Sequence, residues 1–129
     1  VSSPAVADTL NREALTLPAP RLAAWLQDHL GQKLAAYAVG LRDPKMIGRY
    51  SAGKATPRPL VLHRMQTAYE AARTLHEAFG DTTARSWFFG SNRTLGDQAP
   101  ATVLANATRP GDFDLVMPAV RAFVAGDPS

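Results

Sequence analysis

Leu62, Met65, Tyr69, Ala72, Leu75 and Phe79 recur three or four residues apart, and Gly80 follows the last of them. That spacing places six apolar side chains on one stripe of a helix running from about Leu60 to Phe79. A stripe of about five turns has to be covered, so the chain needs several further elements packed along it. No stretch alternates apolar and polar residues with a strict period of two, so those partners read as helices too. The expected fold class is all-α, with this helix the longest and lying against both halves of the chain.

The other elements follow from punctuation. Leu22, Trp25, Leu26, His29 and Leu30 share a helical face, and Gly31 ends that run. Leu34, Ala35, Ala38 and Leu41 mark a short second helix broken near Gly40. After the long helix, Asp81 offers a cap for a short helix carrying Trp87 and Phe88. A loop from Gly90 to Gln98 precedes a helix opened by Pro100 and carrying Val103 and Leu104. The turn at Arg109, Pro110 and Gly111 leads to a last helix expected from near Asp114, with Val116, Val120, Phe123 and Val124. Residues 1–20 hold Pro4, Pro18 and Pro20 with little periodicity and read as a flexible N-terminal arm. The division is therefore an arm at 1–20, a basic helical bundle at 21–80, and a small helical domain at 81–129.

Charge separates the two larger parts. From Arg21 to His76 there are nine Lys/Arg against three acids, whereas from Glu77 onward there are four arginines against six acids. A polyanion suits the first part and a different partner the second. The basic part centres on Asp43–Pro59. Asp43 can cap a helix and Pro44 suits its first turn. Ile47 and Tyr50 share a face that can pack inward, while Lys45 and Arg49 share one free to look out. Gly53 stops the helix, Pro57 and Pro59 prevent its restart, and Lys54 and Arg58 follow in the loop.

Together with the preceding short helix this has helix-turn-helix proportions. Arg42, Lys45 and Arg49 would reach DNA, and Lys54 and Arg58 would contact phosphate. A solvated face on an ordinary bundle explains the same charges.

In the second part Trp87, Phe88 and Phe89 on a short helix cannot all face one core, which would leave Phe89 partly exposed; the other reading packs all three in the core or against the long helix. Arg93 lies beside Asn92 in a Gly-flanked loop and could enter a carboxylate-bearing or nucleotide-binding pocket. Taken alone, Arg93 also fits a solvated loop, and Asn92 a turn.

Two motifs in order give the chain a family resemblance. Arg49, Tyr50, Ala52, Gly53, Lys54 and Pro57 resemble the end of the helix-turn-helix in Xre/MbcA/ParS-type antitoxins. Trp87, Asn92, Leu95, Gly96 and Pro100, followed by Val103 and Leu104 and later by Phe113 and Val116, resemble that family's toxin-binding segment. A serine, Ser91, stands before Asn92 where the family commonly has proline. The resemblance spans roughly residues 21–126. It implies a helix-turn-helix domain followed by a toxin-binding domain, and a RES-domain, NAD-degrading toxin as protein partner whose active site the antitoxin covers. Operator DNA is a second implied partner. Of the expected toxin-binding residues, the resemblance suggests Trp87, Asn92, Leu95 and Pro100, and the reading of the residues themselves adds Phe89, Arg93 and, on the last helix, Arg121. The alternative is a stand-alone helix-turn-helix regulator whose second half only makes a homodimer.

Enzyme chemistry has no foothold in the sequence. His29 falls on one helical run and His63 and His76 on another, thirteen residues apart, without metal-ligand spacing. Asp112 and Asp114 read as caps of the last helix. There is no cysteine to act as nucleophile, metal ligand or disulfide. Neither cofactor nor metal is expected. No apolar run reaches membrane-spanning length and residues 1–20, which mix charges and prolines, show no basic-then-apolar signal pattern, so the expected location is cytoplasmic.

Overall fold

A computed structural model describes residues 4–126. Among these described residues eight α-helices follow one another: α1 (Pro4–Thr16), α2 (Ala19–Leu30), α3 (Gln32–Ala38), α4 (Lys45–Ser51), α5 (Pro59–Phe79), α6 (Asp81–Phe89), α7 (Pro100–Asn106) and α8 (Val116–Val124). Two 3-10 turns, Arg93–Leu95 and Pro110–Phe113, flank α7. Among the described residues the only β pairing is an isolated bridge between Asn92 and Gln98. The fold is all-helical, and none of these helices is long and apolar enough to cross a membrane.

The α5 helix is the axis. Met65, Tyr69, Ala72 and Leu75 are buried along its stripe. Full burial of a side chain such as Met65 or Leu75 stabilises the fold by about 2 kcal/mol. The coverage comes from α1 and α2 on one side and from α6, α7 and α8 on the other. One continuous apolar cluster runs from Ala14 through Leu26, Ile47 and Leu75 to Leu104 and Val120, so both halves share a core. The stripe ends sooner than its period suggests. Phe79 is half exposed and meets Phe123 edge-on, with ring centres 5.5 Å apart.

Residues 4–16 are the main departure from expectation. They form α1, not an arm, and Leu10 and Ala14 are buried against α5. The prolines that suggest looseness mark helix boundaries instead. Pro4 opens α1, while Pro18 flanks the start of α2 and Pro20 sits in its first turn, where a missing N–H costs nothing. Polar contacts finish the docking. Tyr69 Oη donates to Glu13 at 3.0 Å, and Arg73 pairs with Glu13 at 3.1 Å and with Glu77 at 3.2 Å.

The second departure is Arg64. It contributes to the basic charge of the first half, yet it is only 8% exposed. Its Nε donates to Leu104 O at 2.8 Å, Nη1 to Val39 O at 3.5 Å and Nη2 to Ala107 O. These carbonyls lie at the C-terminal ends of α3 and α7, where helix dipoles favour a cation. Burial lowers the guanidinium from its ordinary value, and the three carbonyls offset that desolvation. Arg64 thus ties the α3 end of the first half to α7 of the second. Gly40 makes room for it. A Cβ there would stand 2.5 Å from Nη1, and φ at Gly40 is +78°.

Candidate functional site

Two surfaces carry the residues singled out from sequence. The first is α4 with its flanking loops. Asp43 Oδ1 accepts the Lys45 N–H at 3.0 Å and so closes the start of the helix from one residue further out than a standard cap, with Pro44 between. Ile47 and Tyr50 are buried, and α4 packs on α2 and α3. This leaves Lys45 and Arg49 exposed on the outer face. Arg42, Lys54 and Arg58 are exposed on either side. Among the described residues none of these five cations has an ion-pair partner within 4.0 Å. Unpaired cations on a helix fixed from behind make a surface suited to a polyanion.

The second surface is built by α6, the loop after it and α8. Trp87 and Phe88 are buried, while Phe89 is 64% exposed. Thr82, Ser86 and Phe89 are four and three apart, so they share the outer side of α6. After Gly90 the chain makes a tight loop. Asn92 N–H donates to Gln98 O at 3.2 Å, and the N–H groups of Leu95 and Asp97 return to Asn92 O at 3.0 and 2.8 Å. Ser91 Oγ donates to Asp97 O at 2.9 Å. The reversal needs two successive left-handed residues, Gly96 and Asp97, each at φ 66°; aspartate tolerates this better than most side chains. Leu95 and Pro100 are buried beneath the loop.

Trp87, Asn92, Leu95 and Pro100 are therefore held inside the chain's own fold and shape the surface from beneath. Phe89, Arg93 and Arg121 are exposed and available to a partner. A cleft of about 290 Å³ is lined by Thr82, Ser86, Trp87, Ser91, Asn92 and Phe123 among others. Two buried atoms among its lining residues, Trp87 Nε1 and Asn92 Oδ1, find no hydrogen-bond partner among the described residues. A buried donor and acceptor left unpaired cost about 1–3 kcal/mol each, and a ligand group that reached them would recover part of it.

Two of the carboxylates expected as caps, Asp81 and Asp112, do other work. Asp81 makes no side-chain cap on α6; it turns back to His29 and His76. Burial opposes its ionisation, but those two hydrogen bonds hold its carboxyl below the ordinary value. Asp112 accepts from Thr108 N–H at 2.9 Å and from Thr108 Oγ1 at 3.1 Å, which lowers its carboxyl and fixes the turn before α8. The α8 helix itself starts at Val116, two residues beyond Asp114, with Pro118 in its first turn.

Sequence reasoning does not reach Arg64, the α1 contacts or the meeting of His29, His76 and Asp81. Leu10, Ala14 and Leu17 at helical spacing are the one available signal for α1. Comparison with known protein families, with curated proteins and with solved structures finds no match for this chain.

Proposed function

We propose that this chain is the antitoxin of a type II toxin–antitoxin pair. On this reading it binds a RES-domain, NAD-degrading toxin through the α6–α8 surface and covers its active site. It also holds operator DNA through α4, with α3 and α4 acting as a helix-turn-helix. The observation that carries the proposal is the folded form of the Trp87–Pro100 segment. Of the residues matching the family motif, Trp87, Asn92, Leu95 and Pro100 are buried and give the loop its shape, while Gly96 is exposed at its left-handed turn. That shape presents an exposed phenylalanine, a loop arginine and a cleft two of whose lining residues hold a buried, unpaired donor and acceptor. Aromatic and arginine side chains over a fixed support are what a specific protein interface uses as anchors.

The test uses the full chain and its cognate RES-domain toxin on a sizing column. Co-elution as a defined complex is expected, since covering an active site takes an interface on the order of 1,200–2,000 Å². A homodimer of this chain that leaves the toxin free would favour the stand-alone regulator and overturn the proposal.

The DNA part has its own expectation. Lys45→Ala with Arg49→Ala should weaken operator binding in gel shift. It should also make the plot of log affinity against log salt shallower by roughly 1.8, about 0.9 for each phosphate that is no longer neutralised. Helix content should not change, because both side chains are exposed. Wild-type affinity in the double variant would remove α4 from the DNA surface.

A further inference from the structure

The fold brings together three potential metal ligands from three different helices. His29 comes from α2, His76 from the last turn of α5 and Asp81 from the first residue of α6. His29 Nδ1 lies 3.0 and 3.1 Å from the two Asp81 carboxylate oxygens, and His76 Nδ1 lies 2.7 Å from Oδ1. One ligand atom from each residue can be chosen so that all three lie within 4.8 Å of one another.

Around Zn²⁺, with bonds of about 2.0–2.2 Å to imidazole nitrogen and carboxylate oxygen, tetrahedral neighbours stand roughly 3.3 Å apart. The 3.0 Å His29–Asp81 and 2.7 Å His76–Asp81 separations need to open by about 0.3 and 0.6 Å, and the third pair already lies within 4.8 Å. Both Nδ1 atoms can become ligands if each ring carries its proton on Nε2 instead, and metal–ligand bonds then replace the two hydrogen bonds to Asp81.

The surroundings favour a built site over a chance meeting. Trp25 stacks on His29, with ring centres 4.1 Å apart and planes 19° apart, and meets His76 edge-on at 5.9 Å. These contacts fix both imidazole planes. The three side chains are about one-third exposed, so an ion could enter and keep water in a fourth position. Two nearby cations oppose it, and both are engaged. Arg73 is held by Glu13 and Glu77 over the Trp25 ring, and Arg85 donates to His29 O at 3.1 Å.

We propose that His29, His76 and Asp81 form a site for a divalent transition-metal ion of the zinc type, bound with one or more waters. Two imidazoles and one carboxylate suit Zn²⁺ or Co²⁺ far better than Mg²⁺ or Ca²⁺, which take oxygen ligands. An ion there staples α2 to the start of α6 and so links the basic half to the half that carries the cleft. The site is independent of the proposed toxin partner.

The test is titration of metal-free full-length protein with Zn²⁺ by calorimetry and with Co²⁺ by visible absorption. One equivalent should bind, with Co²⁺ giving the intense bands of a tetrahedral site. Asp81→Asn and His29→Gln should each lower affinity by at least roughly 10–100-fold, the loss typical of groups that merely orient a ligand. His63→Ala, on the exposed face of α5, should leave affinity unchanged. Helical dichroism and thermal unfolding without metal establish that each variant is folded; His76→Gln replaces any that is not. Zn²⁺ should raise the melting temperature of wild type and not of the Asp81 variant. No binding up to millimolar Zn²⁺, binding undiminished in folded Asp81 and histidine variants, or binding lost with His63→Ala overturns the proposal.

Discussion

Replacing Arg64 by methionine should destabilise the chain by about 3 kcal/mol. Methionine fills much of the same volume but takes the guanidinium donor from the carbonyls of Val39 and Ala107 and one of two donors from Leu104 O, which keeps the Ala107 N–H. Each bond to the charged guanidinium contributes roughly 1.5–3 kcal/mol, and the desolvation of the arginine offsets part of the sum. For a domain of this size the loss corresponds to a fall in melting temperature of about 10 °C. Arg64→Lys should recover less than half of it, because an ammonium is a point charge and cannot reach three carbonyls with a planar fork. Thermal and urea unfolding of both variants measure this. A methionine variant within about 0.5 kcal/mol of wild type, the range of ordinary surface substitutions, would show that Arg64 does not tie the halves together.

The same residue shows what the sequence can and cannot disclose. Helix boundaries are legible because they are local. Gly31, Gly80 and the prolines at 57, 59 and 100 each act on the backbone within a turn of their own position. The α5 stripe is legible because its period repeats over the whole helix. Ile47 and Tyr50 against Lys45 and Arg49 are legible for the same reason, and α4 buries the first pair and exposes the second.

Arg64 is not legible. Its partners lie 25, 40 and 43 residues away, and on α5 itself it reads as one more cation. His29 and His76 sit on different helices, and only the packing of α2 beside α5 and α6 brings them to Asp81. The α1 helix is hidden because prolines at the edges of a segment look like evidence about its interior, when they act only on the backbone next to them.

The candidate partner surface is legible in outline and inverted in detail. The segment from Trp87 to Pro100 does shape the exposed face, but most of its motif residues do so from inside. That changes which substitutions are informative. Trp87→Ala would remove a buried indole at a cost of about 3–5 kcal/mol, so a weaker interface could not be told from an unfolded domain. Phe89 and Arg93 are the positions where an interface can be altered while the fold remains.

The most direct measurement is the NAD-degrading activity of the cognate RES-domain toxin as full-length protein is added. Wild type should inhibit stoichiometrically. Phe89→Asp combined with Arg93→Glu should weaken inhibition by at least about 100-fold, a conservative figure for removing two anchors of roughly 2 kcal/mol each. Melting temperature and operator binding should stay at wild-type values in that variant. The Lys45→Ala, Arg49→Ala double variant should show the reverse pattern, with inhibition intact and DNA binding weakened. Full inhibition by the Phe89 and Arg93 double variant, or loss of inhibition in the Lys45 and Arg49 double variant, would contradict the assignment of the toxin surface to α6 and α8.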